Sequence, residues 1–541
     1  MQLQKIINIS PSRGRIFDRN GTPLALSKTA LSAYAIPPQI QNKWEFAAAI
    51  APILKLPSKT ILKKISVERP FVWLKRKLDT PDSHKLQALK LSGLSFIEEE
   101  KRVYPHEDLA CSVLGFVGID NQGLSGLEYQ FNQFLTGSSG KMILDGDPMG
   151  FRIITGSRTV KLTSYNGGDI FTSIDEYIQF ITQQFLEEGI QKMKAKSGQA
   201  IVMNPKTGDI LGMASYPYFN PNMYWKYPPS YWKNKCVTDV FEPGSISKVF
   251  TIAGALEENI FKSSSTIKVP ETLQIANHTI SEAHKRKEGE SEYKTVQEIL
   301  KESLNVGSSL IAIELGKHKL YKYLTAFGFG KTTPIDLPGE VAGLLRPPHL
   351  WSGVDIAMMS FGQGFAVTSL QLALALCTIA NDGEMVKPRI IRELQEPRTK
   401  SIIGQGLDMS IQYRPKLSKG HIISRETAKD ITHIMVSVTE EGTGFRAKVP
   451  PFKVAGKTAT AQKAGAGGIG YLKDTYIASF GGFLPANNPE ILILVTVDTP
   501  TESIWGSTVA APIFQRIAKA CVDYLNILPP PTLPVLDTLA I

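Results

Sequence analysis

The sequence predicts an α+β fold in two folded units, and three observations carry that expectation. Strand hairpins stand near both ends of residues 166–527, helical runs fill the stretch between them, and residues 1–165 carry their own short strands and charged helical pieces. A chain of 541 residues exceeds what one small core covers, and 43% apolar with 20% charged residues is the balance of a folded globular protein. Residues 528–541 open with Leu528-Pro-Pro-Pro-Thr-Leu-Pro534, an extended Pro-rich tail.

Taken in order, Arg13-Gly-Arg-Ile-Phe-Asp-Arg-Asn-Gly21 ends in an Asn-Gly turn signal. Ser164-Tyr-Asn-Gly-Gly168 reads as a turn at the boundary between the units. Ser173 to Met193 has a helical pattern with Asp175 and Glu176 at its start, where acidic side chains suit the helix dipole. Gln199 to Asn204 and Ile210 to Ser215 flank the turn Pro205-Lys-Thr-Gly-Asp209, a first hairpin. Tyr476 to Phe483 and Glu490 to Val497 flank Pro485-Ala-Asn-Asn-Pro489, a second, and Ala510 to Leu525 is helical. One sheet gathering both ends of the second unit is the expected arrangement.

Chemistry concentrates at Phe241-Glu-Pro-Gly-Ser-Ile-Ser-Lys-Val-Phe250. Ser245 and Lys248 lie three apart, on one face of a helix, and Pro243-Gly244 disfavour helix just before the serine. A hydroxyl nucleophile at such a start meets unpaired N–H groups and the positive end of the dipole. Serine with lysine three places on also occurs at Ser138, Ser230, Ser265 and Ser291; only Ser245 has the turn before it and a long apolar run after it.

Ser303-Leu304-Asn305 is the second part. Thr295-Val-Gln-Glu298 is a capping-box pattern that starts a helix. Residues two apart do not share a helix face, so Ser303 and Asn305 meet in one site only if the helix breaks there, and Gly307 makes such a break plausible. The third part is Val454-Ala-Gly-Lys-Thr-Ala-Thr-Ala461, a strand of small residues whose edge an extended peptide can approach. Lys457 and Thr458 suit a carboxylate, and the N–H groups of Thr460 and Ser245 suit an oxyanion. The literal Lys206-Thr207-Gly208 falls in the first hairpin turn and reads as a charged loop tip. Together these parts describe serine acyl transfer, with Lys248 neutral, its pKa depressed by burial and by Lys457, taking the Ser245 proton.

The formal net charge of +10 allows an anionic membrane surface or an acidic polymer as partner. No Lys/Arg block with interleaved aromatics points to nucleic acid. Cys111, Cys236, Cys377 and Cys521 lie far apart with no metal-ligand spacing. No apolar run reaches transmembrane length, and Met1 to Ser10 lacks the apolar segment of a signal peptide.

With these motifs in hand, the chain resembles the class B penicillin-binding proteins, whose serine–lysine and lysine–threonine–glycine motifs match Ser245/Lys248 and Lys457/Thr458/Ala459. Arg13 to Gly21 is similar to that family's first sequence box. Phe71-Val-Trp-Leu-Lys-Arg-Lys77, Val113-Leu-Gly-Phe-Val-Gly118 and Gly126-Leu-Glu128 are similar to its pedestal. Cys236 to Ser245, Phe327 to Gly330, Ile335 to Glu340 and Ser360-Phe-Gly-Gln-Gly364 are similar to its septal, division-specific branch, with the elongation branch as the alternative. The resemblance implies a penicillin-binding, serine β-lactamase-like transpeptidase domain of antiparallel sheet and helices on an elongated N-terminal pedestal. It implies a D-Ala-D-Ala stem-peptide donor, an amine acceptor, β-lactam inhibition and no cofactor or metal. It further implies a membrane glycosyltransferase and other division proteins as partners, at the cytoplasmic membrane with the catalytic domain outside the cytoplasm.

Two departures accompany it. Ala459 stands where the family's third motif usually ends in glycine, adding a methyl at the strand edge. Only twelve residues precede Arg13, so the family's N-terminal anchor helix is expected to lie outside this chain. A serine β-lactamase or β-lactam sensor would not need the pedestal, a D,D-carboxypeptidase differs only in using water as acceptor, and a non-catalytic division scaffold would not need Ser245, Lys248, Ser303, Asn305 and Lys457 intact.

Overall fold

The computed structural model describes residues 3–9, 11–67, 69–146, 160–162, 165–283, 292–396, 410–412, 420–465 and 470–529. Beyond Pro529 the Pro-rich tail lies outside the described residues, as do Ser164 and Ser291. The rest of the α+β expectation can be followed strand by strand.

Both expected hairpins form, and their strands join in one sheet. Ile210–Tyr216 pairs with Ser197–Met203, which pairs with Ile491–Asp498, then Tyr471–Leu484, then Ala455–Ala464, all antiparallel. Ser197–Met203 is buried along its whole length, with its apolar residues Ala200 to Met203 running consecutively because both faces of the strand are covered. Successive side chains go to opposite faces. Ala200, Val202, Ile493 and Val495 pack under the helices Glu176–Lys192 and Gly506–Tyr524, with Phe480 against Phe514 at 4.6 Å between ring centroids. Ile201, Met203, Leu492 and Leu494 pack on the other face against a helical layer that includes Ser247–Glu257 and Ser369–Ala380. Each fully buried Val, Ile, Leu, Met or Phe among them contributes about 1.5–3 kcal/mol. The result is a helix–sheet–helix sandwich with Ala455–Ala464 as an edge strand.

The helix starts follow local sequence. Asp175 accepts from Tyr177 and Ile178 N–H at 3.1 and 3.2 Å, and Thr295 with Glu298 closes the expected capping box. All four cysteines are buried and free. Among the described residues no helix is long and apolar enough to cross a membrane.

In the N-terminal unit, Pro23–Ala35 pairs with Leu94–Val103 along ten residues and with Val72–Lys75. The helices Lys43–Leu54, Ser58–Ile65 and Thr80–Ala88 pack beside these strands. The Asn-Gly turn forms, with Gly21 at φ +89° between Ile16–Phe17 and Pro23–Ala35. Ile16–Phe17 also pairs, in parallel, with Asp169–Thr172, which pairs with Ile391–Gln395. One sheet thus runs from the first box into the region beyond residue 166. Two of the sequence segments meet in a buried charge cluster: Arg13 Nε donates to Glu128 Oε2 and Arg102 Nε to Glu128 Oε1, each at 2.7 Å, with Tyr104 OH at 3.2 Å.

That cluster generates a prediction. Glu128→Ala leaves two guanidinium groups buried without their counter-charge, so it should destabilise the protein by about 3–5 kcal/mol in chemical unfolding; a change under about 1 kcal/mol would show the arginines find water instead.

Candidate active site

A cleft of about 560 Å³ opens beside the edge strand, lined among others by Ser245, Ser303, Asn305, Thr458, Ala459 and Thr460. The three sequence parts therefore converge on one space. Lys248 and Lys457 sit beneath it, fully buried.

Ser245 lies in a 3-10 turn, Gly244–Ile246, that runs directly into the helix Ser247–Glu257. Its N–H is among those with no helical acceptor, and its hydroxyl has no hydrogen-bond partner among the described residues. Gly244 takes φ +55°, open to glycine at little cost. Its N–H donates to Gly362 O at 3.2 Å, and a methyl added at Gly362 would come 2.1 Å from Gly244 O. Glu242 holds the same loop, accepting from Gly364 N–H at 2.8 Å and from Tyr471 OH at 3.2 Å, and burial pushes its carboxyl up. The catalytic motifs do not assign a role to Glu242, Gly362 or Gly364; Glu242 lies in the quoted Phe241–Phe250 stretch, and the two glycines in the Ser360–Gly364 segment.

Lys248 Nζ donates to Ser303 O at 2.6 Å, to Asn305 Oδ1 at 2.7 Å and to Ser303 Oγ at 3.3 Å. Lys457 Nζ donates to the same Ser303 Oγ at 2.8 Å. A hydroxyl has two lone pairs and one proton. With both lone pairs facing amines, the Ser303 proton is left to donate, so the hydroxyl can pass protons between the lysines and a bound group. Ser303 is held at φ +63°, a left-handed conformation costing about 1–2 kcal/mol.

The expected helix break is present at Ser303. It spans residues 302–304, between the helices Val296–Lys301 and Asn305–Leu315. Gly307, which makes a break plausible in the sequence, is inside the second helix and does not form it. A methyl there would come 2.8 Å from Ile299 Cγ1, so its smallness serves close packing of the two helices.

Burial pushes Lys248 down to about 7, and the Glu282 carboxylate works against that fall. Lys457 is pushed well down, first by burial and then by repulsion from Lys248. The expectation that Lys457 lowers Lys248 thus needs adjusting: desolvation is the main cause, and the repulsion falls on Lys457. Two buried ammonium groups on one hydroxyl do not both keep their protons easily.

On the strand, Thr458 Oγ1 lies 3.0 Å from Thr443 Oγ1, and Thr460 Oγ1 accepts from Gly506 N–H at 3.1 Å. A methyl added at Gly244 would come 3.4 Å from Thr460 O, so that carbonyl faces the serine turn. In an extended strand one residue's C=O and N–H point to the same side. The Thr460 N–H therefore faces the unpaired edge, toward Ser245. The Ala459 methyl is only 3% exposed and lies toward Gly244, so it packs under the turn more than it narrows the cleft. Lys206 is at the hairpin tip as expected, bonded to Asn488 and Glu490 at 2.8 Å each. Among the described residues no cluster of His, Cys, Asp and Glu is placed to hold a metal ion.

The chain and its fold are similar to those of known proteins. The chain matches the family model "Penicillin binding protein transpeptidase domain" over residues 198–519 and "Penicillin-binding Protein dimerisation domain" over residues 8–171. It is 36% identical to Stage V sporulation protein D of Bacillus subtilis, covering 96% of this chain and 79% of that one. It is 33% identical to the probable peptidoglycan D,D-transpeptidase PbpC of Pseudomonas aeruginosa, covering 96% and 88%. Its fold superposes on penicillin binding protein 3 of Mycobacterium tuberculosis in complex with aztreonam at a TM-score of 0.74 and 26% identity, covering 97% and 98%.

The lysine environment generates a stability prediction. Lys248 falls to about 7 in the folded protein against about 10.4 unfolded, so the unfolded chain binds more protons between those values. Stability from this group rises with pH across that window. Lys248→Met should flatten the rise, because it also relieves Lys457; unfolding free energies of parent and variant at several pH values, showing no difference in slope, would place a charged lysine in the folded state.

Proposed function

The chain belongs to the class B penicillin-binding proteins, a family of serine-type D,D-transpeptidases, and from that premise we propose that it crosslinks peptidoglycan stem peptides through an acyl-enzyme on Ser245. The observation that supports this reading most is the convergence of two buried amines on the Ser303 hydroxyl, one of them on Lys248, a helical turn after Ser245.

The donor peptide, ending in D-Ala-D-Ala, lies antiparallel along the free edge of Ala455–Ala464, its carboxylate met by Thr458 and by Lys457, whose hold on a proton the incoming negative charge strengthens. Neutral Lys248, held by Asn305, removes the Ser245 proton. The serine oxygen attacks the penultimate D-Ala carbonyl, and the N–H groups of Ser245 and Thr460 stabilise the oxyanion. Collapse breaks the peptide bond, and D-Ala leaves as an amine carrying a proton relayed through Ser303. An amine of a neighbouring stem then attacks the ester. The new amide forms as the ester C–O bond breaks, and the proton the amine loses passes through the same network to the Ser245 oxygen. A β-lactam enters as a donor mimic, but its opened ring stays attached to Ser245.

We assign the reaction to septal wall synthesis at the cytoplasmic membrane, with the cleft on the outer side and a membrane glycosyltransferase and other division proteins as partners. The similarity of residues 236–245 and 360–364 to the division branch supports this. The Bacillus subtilis relative is named for sporulation, which favours wall synthesis during spore formation as a second reading. A fluorescent fusion gathering at midcell supports the septal assignment; lateral-wall signal supports elongation, and signal confined to developing spores the second reading.

Intact-mass measurement after incubation with a penicillin tests the chemistry. A single adduct on the parent, absent from Ser245→Ala, is expected; an adduct retained by the variant, or none on the folded parent at high drug concentration, overturns the assignment. Ala459→Gly should change the acylation rate by less than about threefold, since its methyl is buried under the turn.

A further inference from the structure

Asn305 is held from three sides. Its Oδ1 accepts from Lys248, its Nδ2 donates to Ser281 O at 3.1 Å, and its backbone N–H donates to Glu282 Oε2. Val306 N–H donates to Glu282 Oε1 at 2.9 Å. The helix Asn305–Leu315 has no side-chain cap from Leu304, the residue just before it. Its first two N–H groups are satisfied instead by one carboxylate 23 residues upstream. That carboxylate sits just past the hairpin Thr272–Ile275/His278–Ser281, whose second strand lines the cleft. None of the three motifs includes it.

We propose that Glu282 is a positioning residue for this site: by capping the helix it fixes Asn305 where the amide oxygen meets Lys248, and it sets a negative charge against that lysine. The proposal rests on the acyl-enzyme reading. The geometry alone ties Glu282 to Lys248 through Asn305. The charge works in the same direction, since Glu282 is the group that raises the proton affinity of Lys248 against burial. Other charged groups around Lys248 have separate places. Lys457 reaches it through Ser303. Asp355, on a neighbouring helix, is engaged by Arg346 and by Ser352 N–H. Glu302, at the cleft wall, is paired with Lys294 at 2.9 Å. His278 lines the same cleft.

The consequence is a readout that a merely structural cap would not move. Glu282→Gln keeps one acceptor oxygen and the side-chain shape but removes the charge. The protonated form of Lys248 then loses its partner, its proton affinity drops, and the neutral amine persists to lower pH. The acid limb of the acylation profile should therefore move down by about one pH unit. The plateau should fall by about tenfold, because an amide cannot satisfy both N–H groups and Asn305 loosens. Glu282→Asp should restore the limb while only partly restoring the plateau.

The experiment is the acylation rate of the whole chain by a fluorescent penicillin, across about pH 5 to 9, for the parent, Glu282→Gln and Glu282→Asp. A shifted limb in Gln, recovered in Asp, supports the proposal. A Gln profile matching the parent overturns it, and so does a lowered plateau with an unmoved limb, which reduces Glu282 to a helix cap. Failure of the underlying reading shows separately, as a parent label that does not map to Ser245. Melting curves of both variants confirm that the compared proteins are folded.

Discussion

Everything in the cleft depends on two lysine amines being buried against one serine hydroxyl. Lys248 and Lys457 come from different elements, a helix and an edge strand, and Ser303 Oγ lies between them at 3.3 and 2.8 Å. Neither lysine has a carboxylate within ion-pair distance among the described residues. Burial without a counter-ion drives an amine toward its neutral form, and a neutral amine is what proton abstraction from a serine needs. The same burial is destabilising, so the fold must hold it from outside. The left-handed Ser303, the Asn305 helix and the Glu282 carboxylate do so.

The sandwich explains how such an arrangement is kept rigid. Its five strands are covered on both faces, so the edge strand Ala455–Ala464 is anchored by its pairing with Tyr471–Leu484 while its other side stays open to the cleft. The helix that carries Lys248 packs on one face of the sheet, and its leading turn is clamped by Gly362 against Gly244. A serine presented on a glycine-dependent turn, next to an unpaired strand edge, brings a nucleophile and a backbone template together. The Ala459 methyl fits into this packing because the strand turns it toward Gly244.

The N-terminal unit is joined to this machinery by backbone as well as side chains. Ile16–Phe17 lies in a shared sheet with Asp169–Thr172 and Ile391–Gln395, and Asp18 accepts at 3.3 Å from Glu176 N–H, at the start of a sandwich helix. Arg13, at the head of the same segment, is tied to Glu128 and so to Arg102. A chain segment of a few residues thus couples the pedestal's charge cluster to the outer layer of the sandwich.

Much of this was legible in the residues alone. Both hairpins, the helix starts at Asp175 and Thr295, the Ser245 turn and the edge strand around Lys457 follow from local pattern, because caps, turns and alternation act within a few residues. The need for a helix break before Asn305 was also legible, from the two-residue spacing of Ser303 and Asn305. Which residue forms it was not. Glycine marks both breaks and close packing, and only the contact with Ile299 shows that Gly307 does the second. Nor could spacing assign Glu282 or Gly362, which act across 23 and 118 positions on residues that local pattern does identify. The sequence by itself picked out the side chains that meet at the cleft. The tertiary structure decided their protonation and their supports, because desolvation and long-range hydrogen bonds exist only once the chain has closed around them.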